Sequence, residues 1–263
     1  IVLPPCTLTD YSVTITDIDG NVYSKDFSNQ VVISRRTVSL LGAFEVIAPP
    51  AKNEFFFTAN TDDVFDAIQL QESNGSFFAD GVTLDLSRST YDRVTHKGIA
   101  VFTGTITRVP SQAFYNISIT SITLPSSVTS LDRGCFWGSQ LEEITIAENI
   151  TSIALDAFWY ATNLKKVILK APFTSVPFYM NSPKISYLDF PATITSTGNT
   201  LLLDEDALGE HSDSVTIIFR NTTSSVVMDG VFLSSLGFLS RLAPLHIYVP
   251  AALVDNYKTS YGD

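Results

Sequence analysis

The chain contains few of the residues that most often build catalytic and metal centres. Its 263 residues include two cysteines, three histidines and two tryptophans. Cys6 and Cys135 form no metal-binding or redox motif, and the histidines are far apart in sequence. No Gly-x-Ser-x-Gly elbow, His-Glu-x-x-His sequence or phosphate-binding loop is present. The sequence therefore gives no support for an enzyme, and we expect neither a cofactor nor a metal ion.

Positive charge and long apolar runs are also scarce. The chain has 16 Lys and Arg against 27 Asp and Glu, a net charge of -11 at pH 7. Binding to a phosphate backbone or an anionic membrane surface needs clustered Lys and Arg, so the charge argues against nucleic acid and disfavours such membranes as partners. No run reaches the roughly 18 uncharged apolar residues that span a bilayer. The most apolar stretch, residues 231–254, is interrupted by Arg241, Pro244 and Pro250. We therefore expect no membrane-spanning segment.

A short pattern that recurs about every 22 residues dominates the rest of the sequence. The pairs Ala113-Phe114, Cys135-Phe136 and Ala157-Phe158 follow this spacing, and weaker copies occur at 177–178, 207–208 and 231–232. A period in this range is typical of stacked supersecondary units, because no single copy can bury its own apolar face. The sequence therefore predicts a solenoid with a parallel sheet ladder and few short helices.

Each repeat also contains a short strand pattern of apolar, polar and apolar residues. We expect the middle residue of each strand to face outward and its two neighbours to be buried. The middle positions are Thr123, Thr145, Ile168, Asp189, Ile218 and Tyr248. For the first four strands, the neighbours are Ile122, Leu124, Ile144, Ile146, Val167, Leu169, Leu188 and Phe190. The outward row is a possible interaction face, although β-branched residues are also what any strand prefers.

Residues 1–50 do not carry the repeat and form a small β-rich N-terminal region. Residues 11–16 alternate at the strand period, residues 19–21 (Asp-Gly-Asn) supply a turn, and residues 22–27 return as a second strand. Two prolines at 49 and 50 mark a linker, because proline continues neither a helix nor a sheet. The Asp-Gly-Asn segment does not have the ligand spacing of a calcium loop, so a hairpin turn is the better interpretation.

Residues 51–98 are predicted to cap the solenoid, and residues 99–263 to form the repeats with a C-terminal cap. An insertion at 197–213 enlarges one repeat and bears Asp204, Glu205, Asp206 and Glu210. Insertions in solenoids map to loops on one face, often the binding face. These carboxylates could gather calcium, but a solvated acidic loop is the better interpretation. The final segment predicts a strand followed by a short helix that closes the array.

The segments ITSITLPSSVTSL (119–131) and CFWGSQLEEITI (135–146) resemble BspA-like leucine-rich repeats. The resemblance spans about residues 99–257, and the closing residues 248–257 are similar to the C-terminal end of that family. It departs from the usual pattern where Cys135 replaces Ala and where the fifth repeat is enlarged. The resemblance implies a leucine-rich-repeat solenoid over these residues, and the mostly-β N-terminal region predicted from residues 1–50 lies outside it.

The same resemblance implies a secreted or cell-surface protein of host-associated bacteria, with a smaller branch in parasitic protists. Such proteins adhere to other proteins or bind ligands without catalysis. The residues around Cys6 are faintly similar to a lipoprotein cleavage site, so a lipid anchor stays open as an alternative. Our leading hypothesis is a non-catalytic binding protein for a host or bacterial protein. The alternative is a glycan-binding module, and a weaker third hypothesis is a glycosidase-like protein.

The residue after each repeated Phe is aromatic in four successive repeats, which predicts an aromatic stripe. These candidate ligand-binding residues are Tyr115, Trp137, Trp159 and Tyr179. Exposed at repeat spacing, they would anchor a partner protein or stack on sugar rings. The alternative is that each ring covers the neighbouring repeat and has a structural role only. Their exposure decides between the two interpretations.

Overall fold

The computed structural model describes residues 6–8, 11–16, 22–27, 31–33, 50–73, 78–198, 200–202 and 214–261. The chain divides into two compact units, Ile1–Pro49 and Pro50–Asp263. In the first unit, β1 (Cys6–Leu8) pairs antiparallel with β4 (Val31–Ile33), and β2 (Tyr11–Thr16) pairs antiparallel with β3 (Val22–Phe27). The predicted pairing of residues 11–16 with 22–27 is confirmed. Its predicted turn lies outside the described residues.

The described part of the second unit is built around a nine-stranded sheet. Its parallel portion runs in the order β9, β11, β13, β14, β15 and β16. These strands are Ile119–Thr123, Glu143–Ile146, Lys166–Leu169, Tyr187–Phe190, Val215–Phe219 and Leu245–Tyr248. Prolines follow three of the strands, at 125, 191 and 250, where a residue without an N–H ends the ladder. The mostly parallel ladder confirms the expected solenoid-like fold.

The antiparallel end of the sheet contains the segment that precedes the repeats. β5 (Glu54–Ala59) pairs with β9 on one side and with β7 (Lys97–Val101) on the other, and β6 (Thr90–Asp92) lies outside β7. Phe55, Phe57 and Ala59 of β5 face the core. α1 (Asp63–Ser73) follows β5 and was not expected from the sequence. The sheet edge that would expose the first repeat is therefore covered by paired strands.

The repeats also form a second, narrower ladder. It consists of β8 (Arg108–Val109), β10 (Ser130–Leu131) and β12 (Ser152–Ile153), which pair in parallel. The repeated phenylalanines are buried in the core. The rings of Phe114 and Phe136 are stacked with centroids 5.3 Å apart, and those of Phe136 and Phe158 are 5.5 Å apart. The prediction that these rings stack inside the core is confirmed.

The strand predictions hold for most of the predicted side chains and are wrong at two positions. Seven of the eight predicted core neighbours are buried, and Leu124, at the end of its strand, is only half-buried. Asp189 was expected to face solvent but is buried. It accepts two hydrogen bonds from Arg220, with Nε–Oδ1 and Nη2–Oδ2 distances of 2.6 and 2.7 Å. The guanidinium that follows β15 therefore covers this carboxylate, and the hydrogen bond to Asp189 raises the pKa of Arg220.

The C-terminal end of the array is helical. The expected weak repeat at Val231-Phe232 is instead the start of α2 (Gly230–Leu242). The Asp229 side chain caps this helix by accepting a hydrogen bond from the Phe232 N–H at 2.9 Å. After β16, a 3₁₀ turn (Ala251–Leu253) leads into α3 (Val254–Tyr261), as the sequence predicted. Among the described residues, no helix is long and apolar enough to cross a membrane.

Candidate functional site

The predicted aromatic stripe forms a continuous surface feature. Tyr115 and Trp137 lie 6.3 Å apart between ring centroids, and Trp159 and Tyr179 lie 6.2 Å apart. Tyr160 connects the two pairs, because its ring is 6.1 Å from that of Trp137 and 5.4 Å from that of Trp159. We call these five side chains the aromatic ridge. The structure thus brings all four predicted residues together and adds a fifth.

Backbone hydrogen bonds between successive loops hold the ridge in register. The N–H of Asn116 donates to the carbonyl of Trp137 at 2.9 Å, and the N–H of Gly138 donates to that of Trp159 at 3.0 Å. The N–H of Tyr160 donates to Met180 O at 3.1 Å. Each aromatic residue is therefore carried on a loop that is bonded to the loop of the next repeat. A ridge fixed in this way needs little ordering when a ligand binds.

The ridge is partly exposed rather than free on all sides. Tyr115 and Tyr160 are 43% and 47% exposed, whereas Trp137, Trp159 and Tyr179 are half-buried. The tryptophans therefore pack partly against neighbouring rings and still contribute to the surface. The arrangement has features of both interpretations: the rings pack against one another, and their outer edges are available to a ligand. A binding role remains a prediction.

Tyr160 was not predicted as a ridge residue, because its place in the ridge depends on its backbone conformation. It has a φ of 54°, in the left-handed region. The equivalent residues of the two preceding repeats, Asn116 and Gly138, have φ values of 56° and 65°. Asn and Gly tolerate this region, whereas a bulky aromatic residue there is a strained exception. The repeat spacing of Asn116, Gly138 and Tyr160 was the signal in the sequence. Backbone strain that persists at one position motivates a functional hypothesis.

One end of the ridge borders a groove that combines aromatic and charged side chains. Tyr115 and Trp137 contribute its rings, and Gln112, Arg133 and Asp156 contribute its polar groups. Arg133 Nε donates a hydrogen bond to Asp156 Oδ2 at 3.0 Å. The Arg133 side chain is 82% exposed and that of Asp156 is 26% exposed. We call this site the Trp137 groove.

Two other concavities lie on the described surface. One, of about 240 Å³, opens within the sheet between β9 and β11, which pair at the position Ser121–Glu143. The other, of about 780 Å³, is an apolar groove bordered by Leu233, Tyr248 and Tyr261 near the end of the chain. Neither includes a residue of the ridge. Of the predicted outward strand row, Thr123, Thr145 and Tyr248 are exposed, and Ile168 and Ile218 are half-buried.

The described residues contain no group of three or more His, Cys, Asp or Glu side chains that could hold a metal ion. Cys135 is a free thiol, fully buried in the place that Ala occupies in the neighbouring repeats. Burial raises the pKa of this thiol well above its usual range, so it stays protonated and unreactive. The acidic cluster at 204–206, Glu210 and the Cys6 side chain lie outside the described residues.

Comparison with known proteins agrees with the repeat architecture. The family model of the BspA type leucine-rich repeat region matches residues 90–208 in six copies. Over this range the chain is similar to BspA-type leucine-rich repeats. The ladder continues beyond the matched residues, since β15 and β16 add to the same sheet. No curated protein and no solved structure matches the chain.

Proposed function

We propose that this chain is a non-catalytic binding protein, secreted or attached to a cell surface, whose aromatic ridge binds an extracellular partner protein. The BspA-type repeats support a surface repeat protein. The single observation that carries the binding role is the continuity of the ridge, in which five aromatic rings from consecutive loops form one surface feature. Tyr and Trp are the residues most enriched at the energetic centres of protein interfaces.

The orientation of the rings favours a protein over a polysaccharide chain for the ridge as a whole. Successive ring planes are inclined by 45°, 35°, 80° and 63°. Inclined rings make an uneven surface with clefts, into which side chains of a partner can insert. A flat row of coplanar rings would suit successive sugars of a crystalline glycan better. The net charge of -11 attracts a basic partner and repels an acidic one, so we expect a basic or neutral partner.

The tryptophans should contribute more to the free energy of binding than the surface charges do. An exposed ion pair contributes at most about 1 kcal/mol, whereas a Trp anchor at an interface contributes about 2 kcal/mol or more. The Glu142–Lys165 pair, with both side chains about half exposed, belongs to the first class. We therefore expect Trp137 and Trp159 to dominate the affinity.

The test is binding of the full chain to a panel of purified extracellular proteins and to a glycan array. We expect a protein ligand whose affinity falls at least 30-fold in the Trp137→Ala/Trp159→Ala variant, about 2 kcal/mol. The matched control is Tyr248→Ala, which removes an aromatic side chain that is 58% exposed but lies outside the ridge. Circular dichroism and the thermal midpoint check that both variants are folded.

Three outcomes would contradict the proposal. Equal binding by the tryptophan variant and the wild type would exclude the ridge as the site. Binding to glycans alone, lost in the same variant, would favour the glycan-binding alternative. Turnover of a sugar or peptide substrate by the purified chain would show that the protein is an enzyme.

A further inference from the structure

We infer that the Trp137 groove is a subsite for one neutral sugar residue, so that the partner bound by the ridge is glycosylated. This inference rests on the proposed function, because it takes the ridge to be a ligand-binding surface. It adds to the proposed function the chemical class of one group on the ligand, a neutral sugar. Three features of the groove support it: a partly exposed indole, a paired donor and acceptor, and balanced charge.

The indole of Trp137 is open on the groove side because Gly134 has no side chain. Gly134 has a φ of 59°, as does Gln112 at the equivalent position of the preceding repeat. A Cβ at position 134 would lie 3.5 Å from indole Cε3, in direct contact with the ring. Any longer side chain there would therefore occupy the space beside the indole. The glycine leaves the ring available to the weakly positive C–H groups of a pyranose, which pack on the negative face of an aromatic ring.

The polar groups of the groove present a donor and an acceptor side by side. The Arg133–Asp156 hydrogen bond uses the Nε–H of the guanidinium, which carries five N–H donors in total. The Asp156 carboxylate has further acceptor positions. A sugar hydroxyl both donates and accepts, so two adjacent hydroxyls can accept from Arg133 and donate to Asp156 at once. Gln112 also lines the rim of the same groove.

The charge of the groove is balanced, which disfavours ionic ligands. A cationic side chain would be attracted by Asp156 but repelled by Arg133, and an anion would meet the opposite combination. A neutral polyhydroxyl ligand encounters neither penalty and uses both groups through charge-assisted hydrogen bonds. The high exposure of the Arg133 side chain also lets it adjust its position to a ligand at little cost.

The two tryptophans allow a site-specific test in the full chain. Protein labelled with ¹⁵N-tryptophan has two indole N–H signals, and a Trp159→Phe variant assigns them. The probes are the methyl pyranosides of glucose, galactose, mannose and fucose, with tetrahydropyran-2-methanol as the analogue that lacks ring hydroxyls. We expect at least one glycoside to shift the Trp137 signal saturably, with roughly millimolar affinity, and the analogue to leave it unchanged.

Matched variants separate the groove from general surface effects. Arg133→Met removes the donor and should weaken the glycoside at least fivefold. Lys165→Met removes the cation of a comparable surface ion pair, with Lys165 Nζ 2.9 Å from Glu142 Oε2, and should leave binding unchanged. Both changes are at exposed side chains, so folding should be retained, and the unshifted Trp159 signal verifies it.

Several results would overturn the inference. They are the absence of a saturable shift with any glycoside, an equal shift with tetrahydropyran-2-methanol, or equal binding by Arg133→Met. A shift produced by N-acetyl-arginine amide but by no glycoside would identify a cation site instead. A partner protein that binds the ridge equally well with and without its glycans would refute this inference and leave the proposed function intact.

Discussion

The central repeats and the C-terminal part of the array share one sheet but differ in what lies behind it. In the central repeats, Phe114, Phe136 and Phe158 stack with nearly parallel rings, inclined by 11° and 1°. Beyond them, Phe178 meets Phe158 edge-on at 79°. Farther along the chain, Phe232 of α2 packs against Phe219 of β15, with ring centroids 6.3 Å apart. The strands nevertheless remain paired in register from β13 to β16. The sheet therefore stays regular where the packing of the core rings changes.

The two regions also differ in how far their ion pairs are exposed to solvent. The central repeats carry Arg133–Asp156 on the surface, with the arginine side chain 82% exposed. The C-terminal part has Asp189 on a strand of the main sheet, where its side chain is only 10% exposed and is covered by Arg220. A surface pair of the first kind contributes little to stability. A buried carboxylate of the second kind depends on its partner, because loss of the cation leaves it unpaired.

The largest expected effect concerns the stacked rings of the central repeats. Phe136→Ala removes a fully buried ring between two others and should lower the free energy of unfolding by about 3–5 kcal/mol. Because each repeat packs only on its neighbours, protection from hydrogen exchange should fall most in the flanking repeats. Urea denaturation and hydrogen exchange measure the two effects. An unchanged unfolding midpoint would mean that this ring is not in the core.

The second effect contrasts the two ion pairs. Arg220→Met should cost about 1.5–3 kcal/mol, the range for hydrogen bonds to charged groups, because Asp189 would keep only a 3.4 Å hydrogen bond from the Tyr187 hydroxyl. Arg133→Met in the central repeats should cost less than about 1 kcal/mol. Chemical denaturation of both variants tests the difference. Equal losses would show that the depth of the carboxylate does not control the cost.

The smallest expected change in stability concerns Tyr160, the ridge residue with a left-handed backbone conformation. Tyr160→Gly and Tyr160→Ala both remove the ring, but glycine adopts a φ of 54° without the strain of a Cβ. We therefore expect the glycine variant to be more stable by about 1 kcal/mol. At Tyr115, an exposed ridge residue outside that region, alanine should be the more stable replacement. Thermal melts of the four variants decide the order, and greater stability of alanine at position 160 would argue against backbone strain there.

The sequence predicted the ladder and the ring stack because both follow from a regular period. Period-2 alternation identified the buried neighbours of Thr145 and Ile168, and repeat spacing aligned the phenylalanines. Asp189 was assigned wrongly because the same rule treats the outer side of a strand as solvent, whereas Arg220 approaches from the end of the next strand. Such a contact depends on how neighbouring repeats stack, which a strand pattern does not contain.

The sequence of α2 contains a helical pattern that was interpreted with the period of the repeats instead. Within α2, Phe232, Leu236 and Leu239 are buried at helical spacing, and Asp229 is a typical N-cap. The Val231-Phe232 pair was instead interpreted as a weak copy of the repeat. For the ridge, four of the five rings were predicted from their spacing. Tyr160 was missed because its only signal was the repeat spacing with Asn116 and Gly138, which indicates the left-handed backbone that directs its ring.

The rate at which a reagent labels the buried thiol of Cys135 measures how often the central repeats separate from one another. The Cys135 Sγ lies 4.0 Å from the carbonyl oxygen of Ala157 in the next repeat. An alkylating reagent can reach it only when these two repeats part, since the thiol is fully buried and its pKa is raised by that burial. In a Cys6→Ser background, the labelling rate at excess reagent therefore reports how often the array opens at this junction. In an oxidising medium, the same opening frequency sets the lifetime of the free thiol.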